Sequence, residues 1–140
     1  FTIVGHSETG RDHLFGDQRG NGNQDCFGRR ESSDGIILAV ADGCGEKPDS
    51  ATGSRAAVRI ALNCCESQLP NVGRLSPDEF CRILEKELLS RIKAAALPLT
   101  KTGTDDELIR VLDVSYLFTI LVGLVTPTWS AIFACGDGIY

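Results

Sequence analysis

Gly35-Ile36-Ile37-Leu38-Ala39-Val40-Ala41-Asp42-Gly43 decides the fold of this chain. From Gly35 to Ala41 no side chain is polar, and Asp34-Gly35 and Asp42-Gly43 punctuate the two ends. An apolar run of that length, rich in Ile and Val and bounded by turn dipeptides, predicts a strand buried on both faces. Upstream, Gly5 to Gly28 is polar and dense in turn formers, with a short strand expected before it at Phe1 to Val4. Downstream, Ala57, Ile60, Ala61, Cys64 and Cys65 recur at helical spacing, predicting a helix from about Ala51 to Leu69 that Pro70 ends.

A second helix announces its own start. Ser76 is a good N-cap, Pro77 suits the first helical position, and Asp78 and Glu79 complement the helix dipole. Phe80, Ile83, Leu84, Leu88 and Ile92 mark its apolar face, and Pro98 stops the pattern. Thr104 with Glu107 is a capping-box pair, which predicts a short helical turn. Val114 to Val125 and Trp129 to Tyr140 read as strands, joined by a hairpin at Thr126-Pro127-Thr128. The order β, β, α, α, β, β keeps strands and helices in runs, which predicts an α+β fold with helices layered on antiparallel sheet.

Composition narrows the partners. At 140 residues the chain is sized for one domain, expected over 1–140, and 42% hydrophobic with 24% charged residues is globular. Lys and Arg number 14 against 19 Asp and Glu, a net charge of −5, which argues against nucleic acid or an anionic membrane surface as the main partner. No run approaches the roughly 20 apolar residues of a membrane span, and no signal-peptide pattern opens the chain. The six cysteines form no C-x-x-C, and only His6 and His13 add imidazole, so free buried thiols in a reducing, cytoplasmic setting are the simplest expectation over a disulfide scaffold or structural zinc. The chain has no Met and begins and ends in apolar, strand-like sequence, which predicts a portion of a longer domain.

Two aspartates are chemically odd. Asp42 follows an apolar strand directly and precedes Gly43-Cys44-Gly45; a carboxylate there needs hydrogen bonds or a cation, and the glycines leave carbonyls open to a hard metal ion. Asp137 repeats the pattern after Ile132-Phe133-Ala134-Cys135-Gly136. Asp25, in Asn23-Gln24-Asp25, supplies a third carboxylate ahead of the buried strand. Each Asp-Gly pair is equally a tight-turn signal.

Taken in order, Asn23-Gln24-Asp25-Cys26-Phe27, Ile37 to Gly45, the small-residue helix through Gly53-Ser54-Arg55-Ala56-Ala57, the strand at Thr119 to Val125, and Ala134-Cys135-Gly136-Asp137-Gly138 resemble the protein phosphatase 2C family. The resemblance implies an α-β-β-α sandwich of two antiparallel sheets flanked by helices. It implies metal-dependent hydrolysis of phosphoserine and phosphothreonine in proteins, with a phosphorylated protein as partner and no serine or cysteine nucleophile. Asp42 would bridge two Mn²⁺ or Mg²⁺ ions, Gly43 would offer its carbonyl, Asp25 would hold metal-bound water, and Asp137 would help bind a third, weaker ion. Such ion pairs, about 4 Å apart, generate a hydroxide and clamp a phosphate for in-line attack.

The family's substrate-phosphate arginine falls at Gly20, so Arg19, one residue out of register, is the candidate for that role. Glu46 and Gly138 also depart from the common pattern. The family's later Asp-Gly and Asp-Asn motifs are expected beyond Tyr140, which makes these residues alone an inactive N-terminal part. A pseudophosphatase or phosphoprotein-interaction module, and a generic α+β binding domain, are the competing expectations. Cys44, inside the metal loop, reads as a space-filling residue or an oxidisable thiol.

Overall fold

The computed structural model describes residues 8, 23–44, 47 and 49–136. The expected strand at Phe1 to Val4, together with His6, His13, Arg19, Glu46, Asp137 and Gly138, lies outside these residues. In chain order the elements are β1 (Cys26–Ser32), β2 (Gly35–Gly43), α1 (Ser50–Gln68), a 3₁₀ turn (Leu69–Arg74), α2 (Pro77–Ala96), a second 3₁₀ turn (Leu97–Leu99), α3 (Asp105–Ser115), β3 (Phe118–Val125) and β4 (Ser130–Cys135). Among the described residues the strands make one antiparallel sheet, ordered β1-β2-β3-β4, and the helices cover one of its faces. The class is α+β.

The central strand corrects the sequence expectation. β2 alternates: Gly35, Ile37, Ala39, Ala41 and Gly43 are buried beneath the helices, whereas Leu38, Val40 and Asp42 are exposed. An unbroken apolar run reports that both faces tolerate apolar contact, not that both are covered among the described residues. The register places Phe27, Leu38, Val40, Val125 and Ile132 on that second face, where Val40 is 53% and Ile132 70% exposed.

β1 is a strand that the sequence did not disclose. Cys-Phe-Gly-Arg-Arg-Glu-Ser lacks apolar alternation because it is an edge strand with charged, exposed residues. Gly28 is its contact with α1: a Cβ there would stand 2.5 Å from Leu62 Cδ1 and 3.0 Å from Val58 Cγ1. α1 buries small residues (Gly53, Ser54, Ala57, Ala61), and β2 buries Gly35, Ala39, Ala41 and Gly43 on the face beneath it.

α2 begins as its sequence predicts. Glu79 N–H donates to Ser76 Oγ at 3.3 Å, and Glu79 Oε2 accepts from Ser76 N–H at 2.9 Å and Ser76 O–H at 2.8 Å. A cap of this kind contributes about 1 kcal/mol. Phe80, Leu84 and Leu88 fill the core against Ile120, Val122 and Leu124, with Ile83 and Ile92 only partly buried. Trp129, at the β3–β4 hairpin, lies 5.6 Å from the Phe80 ring and donates its Nε1–H to Val72 O at 3.2 Å. The hairpin itself closes with Thr126 N–H on Trp129 O at 2.9 Å.

The short turn expected at Thr104 is a full helix, α3, capped by Thr104 Oγ1 accepting from Glu107 N–H. It absorbs Val114 and Ser115, so the third strand starts at Phe118 rather than Val114. Leu108, Val111 and Leu112 recur at helical spacing, and that spacing overrides the β-branched composition of the segment. All six cysteines are free thiols; Cys64 and Cys65 are buried, Cys26, Cys44 and Cys81 half-buried, and Cys135 exposed, so burial holds for only two of them. Among the described residues no helix is long and apolar enough to cross a membrane.

Candidate functional site

Antiparallel register gathers the site at the end of β2. Asp42 pairs with Thr119 across the β2–β3 ladder. Cys26 pairs with Ala41, so Asp25, one residue before β1, comes level with Asp42. Ile120 pairs with Cys135, so Gly136 comes level with Thr119. Asp25, Asp42, Thr119 and Gly136 therefore form one row across four chain segments on the face opposite the helices, neighbouring strands being about 4.7–4.9 Å apart. Both aspartates are exposed.

Two clefts meet at this row. One, of about 210 Å³, is bounded by Val40, Asp42, Thr119, Leu121, Ala134 and Gly136. The other, of about 450 Å³, is bounded by Asp42, Gly43, Cys44, Leu117, Thr119 and Gly136. Gly136 closes them from the β4 side with φ 110°, and a Cβ there would stand 2.6 Å from Thr119 Cγ2, so only glycine suits the position.

Local hydrogen bonding holds the loop after Asp42-Gly43. Cys44 N–H donates to Leu117 O at 3.1 Å, and Cys44 O accepts Lys47 N–H at 3.0 Å and the Ser50 hydroxyl at 2.7 Å. Lys47 Nζ reaches Asp113 Oδ2 of α3 at 2.6 Å, an ion pair open enough to water to add little stability. On the other side Asp25 N–H donates to Asn23 Oδ1 at 3.0 Å. Burial pushes the neighbouring Cys26 thiol up, an effect that the Arg55 guanidinium partly offsets.

Two carboxylates level with each other on neighbouring chain segments are a setting that suits a cation. The oxygen donors available are the Asp25 and Asp42 carboxylates and the Gly43 carbonyl, a hard set suited to Mg²⁺ or Mn²⁺ rather than to zinc. The donor chemistry fits such an ion. Among the described residues, however, no group of three or more His, Cys, Asp or Glu converges. Of the sequence candidates, Asp42, Gly43 and Asp25 come together; Arg19 and Asp137 fall outside the described residues, although Gly136 brings the chain into the clefts.

Sequence reasoning missed Thr119 and Gln24. Thr119 reads as one more β-branched strand residue, and only the register sets it beside Asp42. Gln24, in a polar stretch, reads as loop yet is 3% exposed.

A family model described as protein phosphatase 2C matches residues 9–140. No curated protein and no solved structure matches the chain.

Proposed function

The chain belongs to the protein phosphatase 2C family, and on that premise we propose that it takes part in metal-dependent hydrolysis of phosphoserine and phosphothreonine in proteins. The observation that carries the reading is that Asp42, which borders two clefts at one end of the sheet, has Asp25 level with it on the adjacent segment. Asp42 and the Gly43 carbonyl would hold Mn²⁺ or Mg²⁺, with Asp25 beside them and Asp137 serving a further ion. Such ions supply a nucleophile from water and neutralise phosphoryl charge. The chain's own residues do the rest: Asp42 concentrates negative charge for the cation, Asp25 orients water by accepting a hydrogen bond from it, and Thr119 and Gly136 leave room for the phosphoryl group. Arg19 is proposed as the group that meets the substrate phosphate.

The second face of the sheet supports the finer fold of this reading. Phe27, Leu38, Val40, Val125 and Ile132 form an apolar face of the kind that a second sheet covers at about 10 Å. An α-β-β-α sandwich would then place the aspartate row at the edge of the joined sheets.

Phosphate release from a phosphothreonine peptide, measured in the full-length protein with Mn²⁺ or Mg²⁺, tests the function. Turnover that needs the metal and vanishes in Asp42→Asn supports it. Turnover retained in Asp42→Asn refutes the assignment, and phosphopeptide binding without turnover transfers the site to an interaction module.

A further inference from the structure

The role of Asp25 depends on its position relative to the loop after Gly43, and Gln24 is the residue that joins those two segments. Its side chain points inward where Asp25 is exposed, and it touches three elements at once. Nε2–H donates to Lys47 O at 2.9 Å, across the metal loop. Its main-chain carbonyl accepts the buried Ser54 hydroxyl from the first turns of α1. That carbonyl and the Gln24 Cβ also occupy the space that a side chain at residue 43 would need, at 2.8 and 3.1 Å from an ideal Cβ. Ser50 O–H completes the circuit by donating to Cys44 O at 2.7 Å and Lys47 O at 3.2 Å, so Lys47 O is shared between Gln24 and Ser50.

Register alone is a weak guarantee of this geometry. Asp25 lies outside β1, where the ladder no longer holds it. Cys44, Lys47 and Asp49, the described residues between Gly43 and Ser50, likewise lie outside β2 and α1. A buried amide bridging two non-ladder segments does what the ladder does elsewhere: without it Lys47 O keeps only its Ser50 donors, the hydroxyl at 3.2 Å and the N–H at 3.4 Å, and the hydrogen bond to the Gln24 segment is lost. Gln24 Oε1 is buried and has no partner among the described residues, so the donor side of the amide, not the acceptor side, makes the link.

We infer that Gln24 is a positioning residue: by donating to Lys47 O it holds the Asp25 segment against Cys44, Lys47 and Ser50, an arrangement that a divalent cation then finds ready-made. The catalytic consequence rests on the phosphatase reading; the structural one does not. Two variants and two measurements test it in the full-length protein. Gln24→Met keeps the volume and removes the donor, and Gln24→Glu keeps the acceptor oxygens and replaces the donor.

Without metal, amide hydrogen exchange at Cys44, Lys47 and Asp49 should accelerate at least about tenfold in both variants, with β2 and β3 unchanged. With a phosphothreonine peptide, the Mn²⁺ concentration for half-maximal phosphate release should rise about tenfold, the range found for groups that orient ligands from behind. Saturating Mn²⁺ should restore kcat to within about twofold of the parent. A role in stability alone would speed exchange throughout the core and leave the Mn²⁺ requirement unchanged; that result overturns the inference, as does unaltered exchange at the loop. If the parent protein releases no phosphate, the phosphatase reading fails while the loop exchange still decides the role of Gln24. Gln24→Glu serves this purpose should Gln24→Met not fold.

Discussion

Replacing Gly43 with Ala tests the packing on which the candidate site depends. A Cβ built on Gly43 meets Gln24 O at 2.8 Å, Gln24 Cβ at 3.1 Å and the Ser50 carbonyl carbon at 3.1 Å. Two of these atoms are backbone and the third is attached directly to it, so no side-chain rotation relieves the overlap. Moving Gln24 outward strains its carbonyl's bond with the Ser54 hydroxyl. Moving Ser50 means shifting the start of α1, yet Gly53 one turn later is already close enough that a Cβ there would stand 2.6 Å from Tyr116 Cα and 2.8 Å from Ser115 O.

With both escape routes blocked, the cost belongs at the upper part of the range for overpacking, about 2–3 kcal/mol. At about 3–4 °C per kcal/mol for a domain of this size, Tm should fall by about 6–12 °C. Gly73→Ala is the control: nothing lies within 4 Å of its Cβ, and it sits in a 3₁₀ turn, so it should be neutral or stabilise by up to about 1 kcal/mol. Paired urea titrations of the two variants, with unchanged m-values, measure the difference. Gly43→Ala within about 0.5 kcal/mol of the parent, or equal losses in both variants, would refute the packing argument.

Further expectations follow from particular residues. Phe80→Ala should cost about 3–5 kcal/mol and shift the emission of Trp129, the one tryptophan of the chain, because the two rings are in contact. Thiol labelling at pH 8 should modify exposed Cys135 first and Cys65 only on unfolding, since burial pushes the Cys65 thiol up to about 12 and leaves about a thousandfold less thiolate than an ordinary thiol of pKa 9. By the same linkage the stabilising contribution of Cys65 is complete below pH 9 and disappears towards pH 12, which alkaline melts would register.

In acid the sign reverses. The Ser76 N–H and hydroxyl hold the Glu79 carboxyl below its ordinary value, and those of Thr102 act likewise on Glu107, so both caps stabilise above about pH 4.5 and are lost below it. Glu79→Gln should flatten that part of the acid unfolding curve. Val40→Lys in the full-length protein should destabilise by more than about 1 kcal/mol if a second sheet covers that face; a neutral effect in denaturant titration would count against the sandwich.

What the sequence determined by itself was whatever depends on near neighbours. The start of α2 was legible at Ser76-Pro77-Asp78-Glu79, because a cap is satisfied by atoms three residues away. The apolar faces of α1 and α2 were legible from their spacing, and the Thr126 to Trp129 turn from its own residues. Asp42 stood out because a carboxylate at the end of an apolar strand is unusual wherever the chain folds. Edge strand β1 was not legible, since pairing with β2, rather than any property of Cys26 to Ser32, makes it a strand. Nor was it legible that one face of β2 lies bare of the helices, for an apolar side chain has the same composition covered or exposed.

Only the tertiary structure brought Asp25 level with Asp42, set Thr119 beside them and drew Gln24 into the interior. Those relations join residues 17 to 94 positions apart along the chain. They are decided by ladder register and by the space left above glycines, which local propensity does not encode.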